Sequence, residues 1–267
     1  MIFAEYPLPD AARGAASCAW RFTLEAHDPP TVQHRIPPDG TTNLILTRDP
    51  DGALFPARIG PSVAAVTVPV AQGWSYAGLR LRPEAARRVT GCPPVPGEVA
   101  PLPLDGPFAL LWADLRSLAE DRPGSADFPG VAALFGGRRG DDPAIATAVD
   151  RLAASGGTEP LARLAAASGL SDRQFRRRFV AATGIGPKQY AGVQRVRRAL
   201  ILSLAAPGWA GIAADAGYAD QPHFTRAVRD HFGATPGQIA GYFNGIRHEL
   251  LFPDDVRFVQ DRVRGDA

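Results

Sequence analysis

The sequence predicts an α+β chain. A β-rich N-terminal region with a few helices spans residues 1–140, an all-α region spans 141–245, and a tail covers 246–267. Three observations lead there. Up to about residue 140, short apolar runs alternate with dense proline and glycine, the punctuation of strands and turns. From Pro143 onward, apolar residues recur at helical spacing. Between residues 161 and 243, one helix–glycine turn–helix unit is written twice.

In the N-terminal region, residues 43–47, 63–70 and 75–81 read as strands, and Pro38-Asp39-Gly40 as the turn that leads into the first of them. Residues 83–89 fit a short helix. Residues 108–119 fit a better one, with Leu111, Leu115 and Leu118 on one stripe. The stretch 124–142, with Gly136-Gly137-Arg138-Arg139-Gly140 inside it, reads as the boundary. A helix over about 143–154 then opens the second region.

The duplicated unit follows. Ala165, Gly169 and Asp172 recur as Ala213, Gly217 and Asp220, each 48 residues on; Phe175, Arg177, Gly184 and Pro187 recur as Phe224, Arg226, Gly233 and Pro236, each 49 on. In the first copy, Gly169 can take the positive φ that ends a helix, and Ser171 with Gln174 has capping-box spacing. The helix after it places Phe175, Phe179 and Ala182 on one face and Arg173, Arg176 and Arg177 on the other. In the second copy, Asp220 is a plausible N-cap and Pro222 falls in the first turn, where it is tolerated. Phe224, Ala227 and Val228 form its apolar face; Thr225, Arg226 and Arg229 point away, with Gln221 and His223 near the helix start. Between the copies, residues 187–205 read as one long helix with Tyr190, Val193, Val196, Leu200 and Leu204 as its stripe and Arg195, Arg197 and Arg198 on its flanks. At about 1.5 Å per residue it spans roughly 27 Å, close to the ~34 Å turn of B-DNA.

A run such as Arg176-Arg177-Arg178 is by itself an ordinary solvated face, and phenylalanines are core residues under any reading. Two units with matching cores, turns and arginine faces are not so easily explained. A short helix, a glycine turn and a second helix form a common DNA-reading unit. Charge agrees: residues 160–245 carry eleven basic and four acidic side chains, a net +7 in a chain of net +2. That local excess is the footprint of a nucleic-acid binder.

These residues carry a family resemblance. The stretches Ser171-Asp172-Arg173-Gln174-Phe175-Arg176-Arg177-Arg178-Phe179, Gly186-Pro187-Lys188-Gln189-Tyr190, residues 212–226 and Gly233-Ala234-Thr235-Pro236 resemble the DNA-binding domain of AraC/XylS-type transcription regulators over about residues 142–243. The resemblance implies a seven-helix domain with two helix-turn-helix units, each placing its second helix in a major groove. It assigns base contacts to Arg173, Arg176 and Arg177 in the first unit, and to Gln221, His223, Thr225 and Arg226 in the second. Val228 departs from it, since the family often carries phenylalanine there.

The resemblance also implies double-stranded promoter DNA as partner, contact with RNA polymerase, and an N-terminal β-rich, cupin-like sensor that binds a small-molecule effector or forms a homodimer. Trp20, Trp74, Tyr76 and Arg80 are candidates for an effector pocket; Trp112 and Arg82 are weaker ones. A sensor that serves only oligomerisation or partner contact is the alternative. Some relatives add an alkyl-transfer repair activity built on cysteine thiolates held by zinc. That site needs clustered cysteines, typically four, whereas Cys18 and Cys92 are alone and far apart. No recognised His ligand spacing, nucleophile elbow or phosphate-binding glycine loop is present either. The expectation is therefore a non-enzymatic regulator without metal or cofactor. No apolar run reaches the ~20 residues of a membrane span and no signal pattern opens the chain, so a bacterial cytoplasmic location, at the nucleoid when DNA-bound, is expected.

Overall fold

The structure, a computed structural model, describes residues 1–121, 127–135, 140–205 and 208–250. The first half is strand-rich: β1 (Ile2–Tyr6), β2 (Ala16–Thr23), β3 (Thr31–Ile36), β4 (Asn43–Arg48), β5 (Leu54–Ile59), β6 (Val66–Ala71) and β7 (Ser75–Leu81). A 3-10 turn at Pro83–Ala85 runs into α1 (Ala86–Thr90), followed by β8 (Val99–Pro101). A second such turn at Gly106–Phe108 opens α2 (Ala109–Ala119), and α3 (Pro129–Phe135) follows. The rest is helical: α4 (Pro143–Ala154), α5 (Leu161–Ala167), α6 (Asp172–Thr183), α7 (Pro187–Ala205), α8 (Trp209–Asp215), α9 (Gln221–Phe232) and α10 (Pro236–Asn244). A last strand, β9 (Arg247–Leu250), ends the described chain.

Seven strands form one sheet in the order β8-β5-β4-β7-β2-β1-β9, and β3 pairs with β6 as a separate ribbon. Alternation along the strands gives the sheet two faces. Ala19, Leu44, Leu46, Ala77, Leu79 and Leu81 pack on Leu111, Leu115 and Leu118 of α2 and on Phe128 and Val131. On the opposite face, Phe22, Trp20 and Tyr76 meet Val32, Val68 and Val70 of the ribbon. The indole of Trp20 lies so close over Gly78 that a Cβ there would sit 2.3 Å from it, which explains the glycine in mid-strand.

The helical region has two cores joined by α7. Ile145, Val149, Leu152, Leu164, Phe175, Phe179, Tyr190 and Ala191 form the first. Val196, Ala199, Ile212, Ala213, Tyr218, Phe224, Val228, Phe232, Ile239 and Phe243 form the second. Helix α7 therefore contributes its first half to one core and its second half to the other.

Both cores rest on the N-terminal region. Gly184, at φ +79°, brings its Cα so near the Pro94 carbonyl that a Cβ would lie 2.5 Å from that oxygen. Gly40 faces Tyr190 and Ile185. On the side of the second core, the Ala65 N–H donates to the His231 carbonyl (2.6 Å), and His231 Nδ1 donates to the Val63 carbonyl (2.5 Å). The Tyr242 hydroxyl accepts from the Arg35 N–H (2.8 Å) and bonds His34 Nδ1 (2.7 Å).

Two boundaries differ from the sequence expectation. The stretch 124–142 is not a bare linker, because α3 lies inside it and Phe128, Val131 and Phe135 are buried in the N-terminal core. The glycine-arginine segment 136–139 lies outside the described residues. Nor does a tail begin at residue 246. Ile246 is buried in the second helical core, and β9 adds to the sheet edge in parallel register with β1, Ile2 opposite Arg247 and Glu5 opposite Leu250. An edge strand offers a row of unpaired N–H and C=O groups, and the chain leaving α10 satisfies those of β1. Residues 251–267 lie outside the described residues.

Candidate nucleic-acid interface

Each repeated unit is held by the same local chemistry. At the start of α6, Ser171 Oγ accepts from the Gln174 N–H and Gln174 Oε1 accepts from the Ser171 N–H, a complete capping box. Gly169 (φ +66°) makes the turn before it, and Gly184 ends it in left-handed conformation with its N–H on the Val180 carbonyl. At the start of α9, Asp220 accepts from the His223 N–H at 2.6 Å, with proline in the first turn; Gly217 (φ +78°) precedes it and Gly233 (φ +65°) ends it.

The apolar faces pin both helices. Phe175 and Phe179 are buried with ring centroids 5.8 Å apart, and Phe179 continues onto Tyr190. In the second unit Phe224 lies between Trp209 (5.8 Å) and Tyr218 (5.3 Å). The opposite faces stay in solvent. Arg173, Arg176 and Arg177 are exposed on α6; on α9, Gln221, Arg226 and Arg229 are exposed, and His223 and Thr225 are half-buried. Val180 stands 39% exposed and borders a shallow depression with Arg173, Arg176 and Arg177. Periodicity had assigned it no role; an outward apolar side chain beside three arginines is a suitable contact for a thymine methyl.

Three further arginines of the basic region, Arg178, Arg195 and Arg198, are engaged within the protein. Arg178 forms a bidentate pair with Asp142 at 2.8 Å through both Nε and Nη2. Burial opposes ionisation of Asp142, but the bonds from Arg178 and from Ile145 N–H outweigh it and hold the carboxyl below its usual range. Asp142 thereby also caps α4. Arg195 donates to the Gly157 carbonyl at 2.8 Å and lies over the Tyr218 ring. Arg198 reaches the Ser155 carbonyl.

The four residues suggested for an effector pocket do not converge. Trp20 and Tyr76 belong to the sheet face covered by the ribbon, where Trp20 Nε1 donates to Asn43 Oδ1 at 3.2 Å. Trp74 stacks on Phe55. Arg80 alone of the four lines a cavity, one that opens between the N-terminal sheet and α7. Arg82 lines it too, and Trp112 is core. Strand register decides which way such side chains point, and spacing alone did not reveal it.

Cys18 is buried and its thiol is pushed up to about 12 by that burial, against the opposing charge of Arg80, so it stays protonated; Cys92 is exposed. Among the described residues, one group has metal-ligand proximity: Glu25, His27 and Asp28, with ligand atoms within 4.8 Å of one another. It holds no thiolate and gives no support to a zinc-cysteine site. Among the described residues, no helix is long and apolar enough to cross a membrane.

Residues 164–241 match the family described as helix-turn-helix domain. A transcriptional regulator with an AraC-type DNA-binding domain from Chromobacterium violaceum is 28% identical, over 37% of this chain and 90% of that one, at a TM-score of 0.35. The DNA-binding domain of the global transcriptional factor AdpA, in complex with a target DNA, is 25% identical over 39% of this chain and 96% of that one, at 0.36. Wild-type ToxT from Vibrio cholerae strain SCE256, bound to an unsaturated fatty acid, is 10% identical over 86% and 96%, at 0.48. No curated protein sequence matches the chain.

Proposed function

We propose that this chain, whose residues 164–241 are an AraC-type helix-turn-helix domain, is a sequence-specific DNA-binding transcription regulator that answers to a small-molecule effector. One observation carries the DNA-binding part. Two capped helices, α6 and α9, each bury phenylalanines and present arginines outward, and α7 ties both to one framework.

In this reading α6 and α9 enter successive major grooves on one side of promoter DNA. Arg173, Arg176, Arg177, Arg226 and Arg229 supply forks for guanine O6/N7 and for phosphate. Gln221, His223 and Thr225 stand at and near the start of α9, where base edges are met. Arg178 and Arg195, bonded within the protein, take no part. Bound to its site, the protein acts by contacting RNA polymerase or by obstructing it, and a homodimer would extend the site to a second copy. The half-open cavity between the two regions supports effector sensing over an N-terminal region devoted to assembly alone, because a flat assembly surface would offer no such hollow.

The test is sequencing of genomic DNA fragments captured by the purified protein, with an Arg177→Ala/Arg226→Ala double variant as control. A sharp two-part motif, lost in the variant, is the expected result. Diffuse, salt-sensitive capture without a motif, with or without added effector, would count against sequence-specific reading.

A further inference from the structure

Helices α6 and α9 correspond position for position. Both run for 12 residues, from an N-cap at Ser171 or Asp220 to a left-handed glycine at Gly184 or Gly233, so each residue of α6 matches the one 49 further on. Their buried faces agree, Phe175 with Phe224 and Phe179 with Val228. Their outward faces do not. Arg173, Arg176 and Val180 of α6 stand where α9 has Pro222, Thr225 and Arg229; of these four outward positions only Arg177 and Arg226 are alike.

At the last of those positions a hydrocarbon replaces a cation. Val180 is 39% exposed, the one large apolar side chain exposed among the described residues of the helical region. It is also the only apolar residue bordering the depression that it shares with Asp172, Arg173, Gln174, Arg176 and Arg177. Single exposed apolar residues are ordinary on a protein surface. The place of this one is not. At about 100° per residue, Arg173, Arg177 and Val180 lie within about 60° of one another around the helix, so a groove that admits the two arginines meets the valine as well. A valine side chain neither donates nor accepts a hydrogen bond. Among the four bases it gains only from thymine, which carries a methyl group into the major groove. Its branched side chain already holds one rotamer in a helix, so little freedom is lost on contact.

We propose that Val180 packs on the 5-methyl group of a thymine in the half-site under α6, and that the half-site under α9, where Arg229 offers a guanidinium at the same place, makes no such demand. The two halves of the operator then differ in sequence: the shared arginine asks for the same contact in both, and the valine asks for a methyl in one. This inference rests on the DNA-binding reading above and names a determinant of its specificity.

The test replaces each thymine of the captured sequence in turn by deoxyuridine, which removes the methyl and keeps every hydrogen-bonding group. One replacement should weaken binding of the full chain by roughly fourfold, the worth of one buried methyl group. It should fall in the half whose base preference changes in Arg177→Ala, not in the half changed by Arg226→Ala. Val180→Ala should bind the thymine and deoxyuridine forms equally at that position while melting like the parent, since the side chain it trims is exposed. The inference is overturned if no single replacement weakens binding, if the penalty survives in Val180→Ala, or if the sensitive thymines lie only in the half read by Arg226. Specific binding of the thymine form without any of the expected responses sinks this inference alone. Failure to capture a motif sinks the DNA-binding reading, and this inference with it.

Discussion

Arg177 and Arg178 are sequence neighbours on one helix, yet about 100° of helical rotation gives them different work. Arg177 stands in solvent, while Arg178 grips Asp142, the cap of α4. Replacing Arg177 or Arg226 by alanine should weaken binding to the captured sequence by roughly 1–3 kcal/mol each, the range for a base-reading contact. Arg178→Ala should instead lower the melting temperature and leave base preference unchanged. Binding isotherms and melting curves on the three variants check this; loss of base preference in Arg178→Ala alone would invert the assignment. The outward arginines were legible from the helical period. The Asp142 pair was not, because its partner lies 36 residues away.

At the scale of elements, the glycine turns give a graded expectation. Gly169 has open space around its Cα, so Gly169→Ala costs only the strain of a left-handed alanine, about 1–2 kcal/mol. Gly184 adds the Pro94 carbonyl in the path of the new methyl, so Gly184→Ala should cost clearly more. Urea denaturation of the two variants ranks them; equal costs would show that the first unit does not rest on the loop at Pro94.

The contact of α10 with the β3 ribbon carries a pH dependence. Burial beside Phe22 lowers His34 from 6.5 to about 4, so the ring is neutral, with Tyr242 donating to its Nδ1. Between those values the unfolded chain takes up a proton that the folded one refuses. Stability should therefore fall as pH drops from about 6.5 to 4, by roughly 3 kcal/mol from this group. The denaturation midpoint of His34→Gln should respond less to pH over that window, and identical slopes would remove His34 as the cause.

Elements with caps and a sustained 3.6-residue period were legible: α4, α6, α7 and α9 lie where spacing placed them, and β7 matches its expected bounds. Strands β1, β2, β3 and β5 and the short edges β8 and β9 were not. Ala16–Thr23 mixes Ser17 and Arg21 with apolar residues because it packs on both faces, with a bulge near its start, and so lacks a clean alternation. Strand β9 exists because β1 offers it an edge, a property of the fold rather than of Arg-His-Glu-Leu.

In the whole molecule, α7 is the spine on which both reading units are built, and the N-terminal region touches each of them, at Gly184 on one side and at His231 and Tyr242 on the other. The charge imbalance between +7 over residues 160–245 and −5 elsewhere was readable without a structure; these contacts, between residues as far as 208 apart, were not. A framework of this kind fixes the two recognition helices relative to one another. The operator must then present its two half-sites on one face of the duplex, about one helical turn apart.

Spacing is therefore the most direct test. With the captured motif in hand, about five base pairs, half a turn of B-DNA, are inserted between its two halves and the affinity is remeasured. Affinity should fall to that of a single half-site, and insertion of a second half-turn should not restore it, because α7 cannot lengthen. Unchanged affinity after the half-turn insertion would contradict tandem reading by α6 and α9 on one rigid spine.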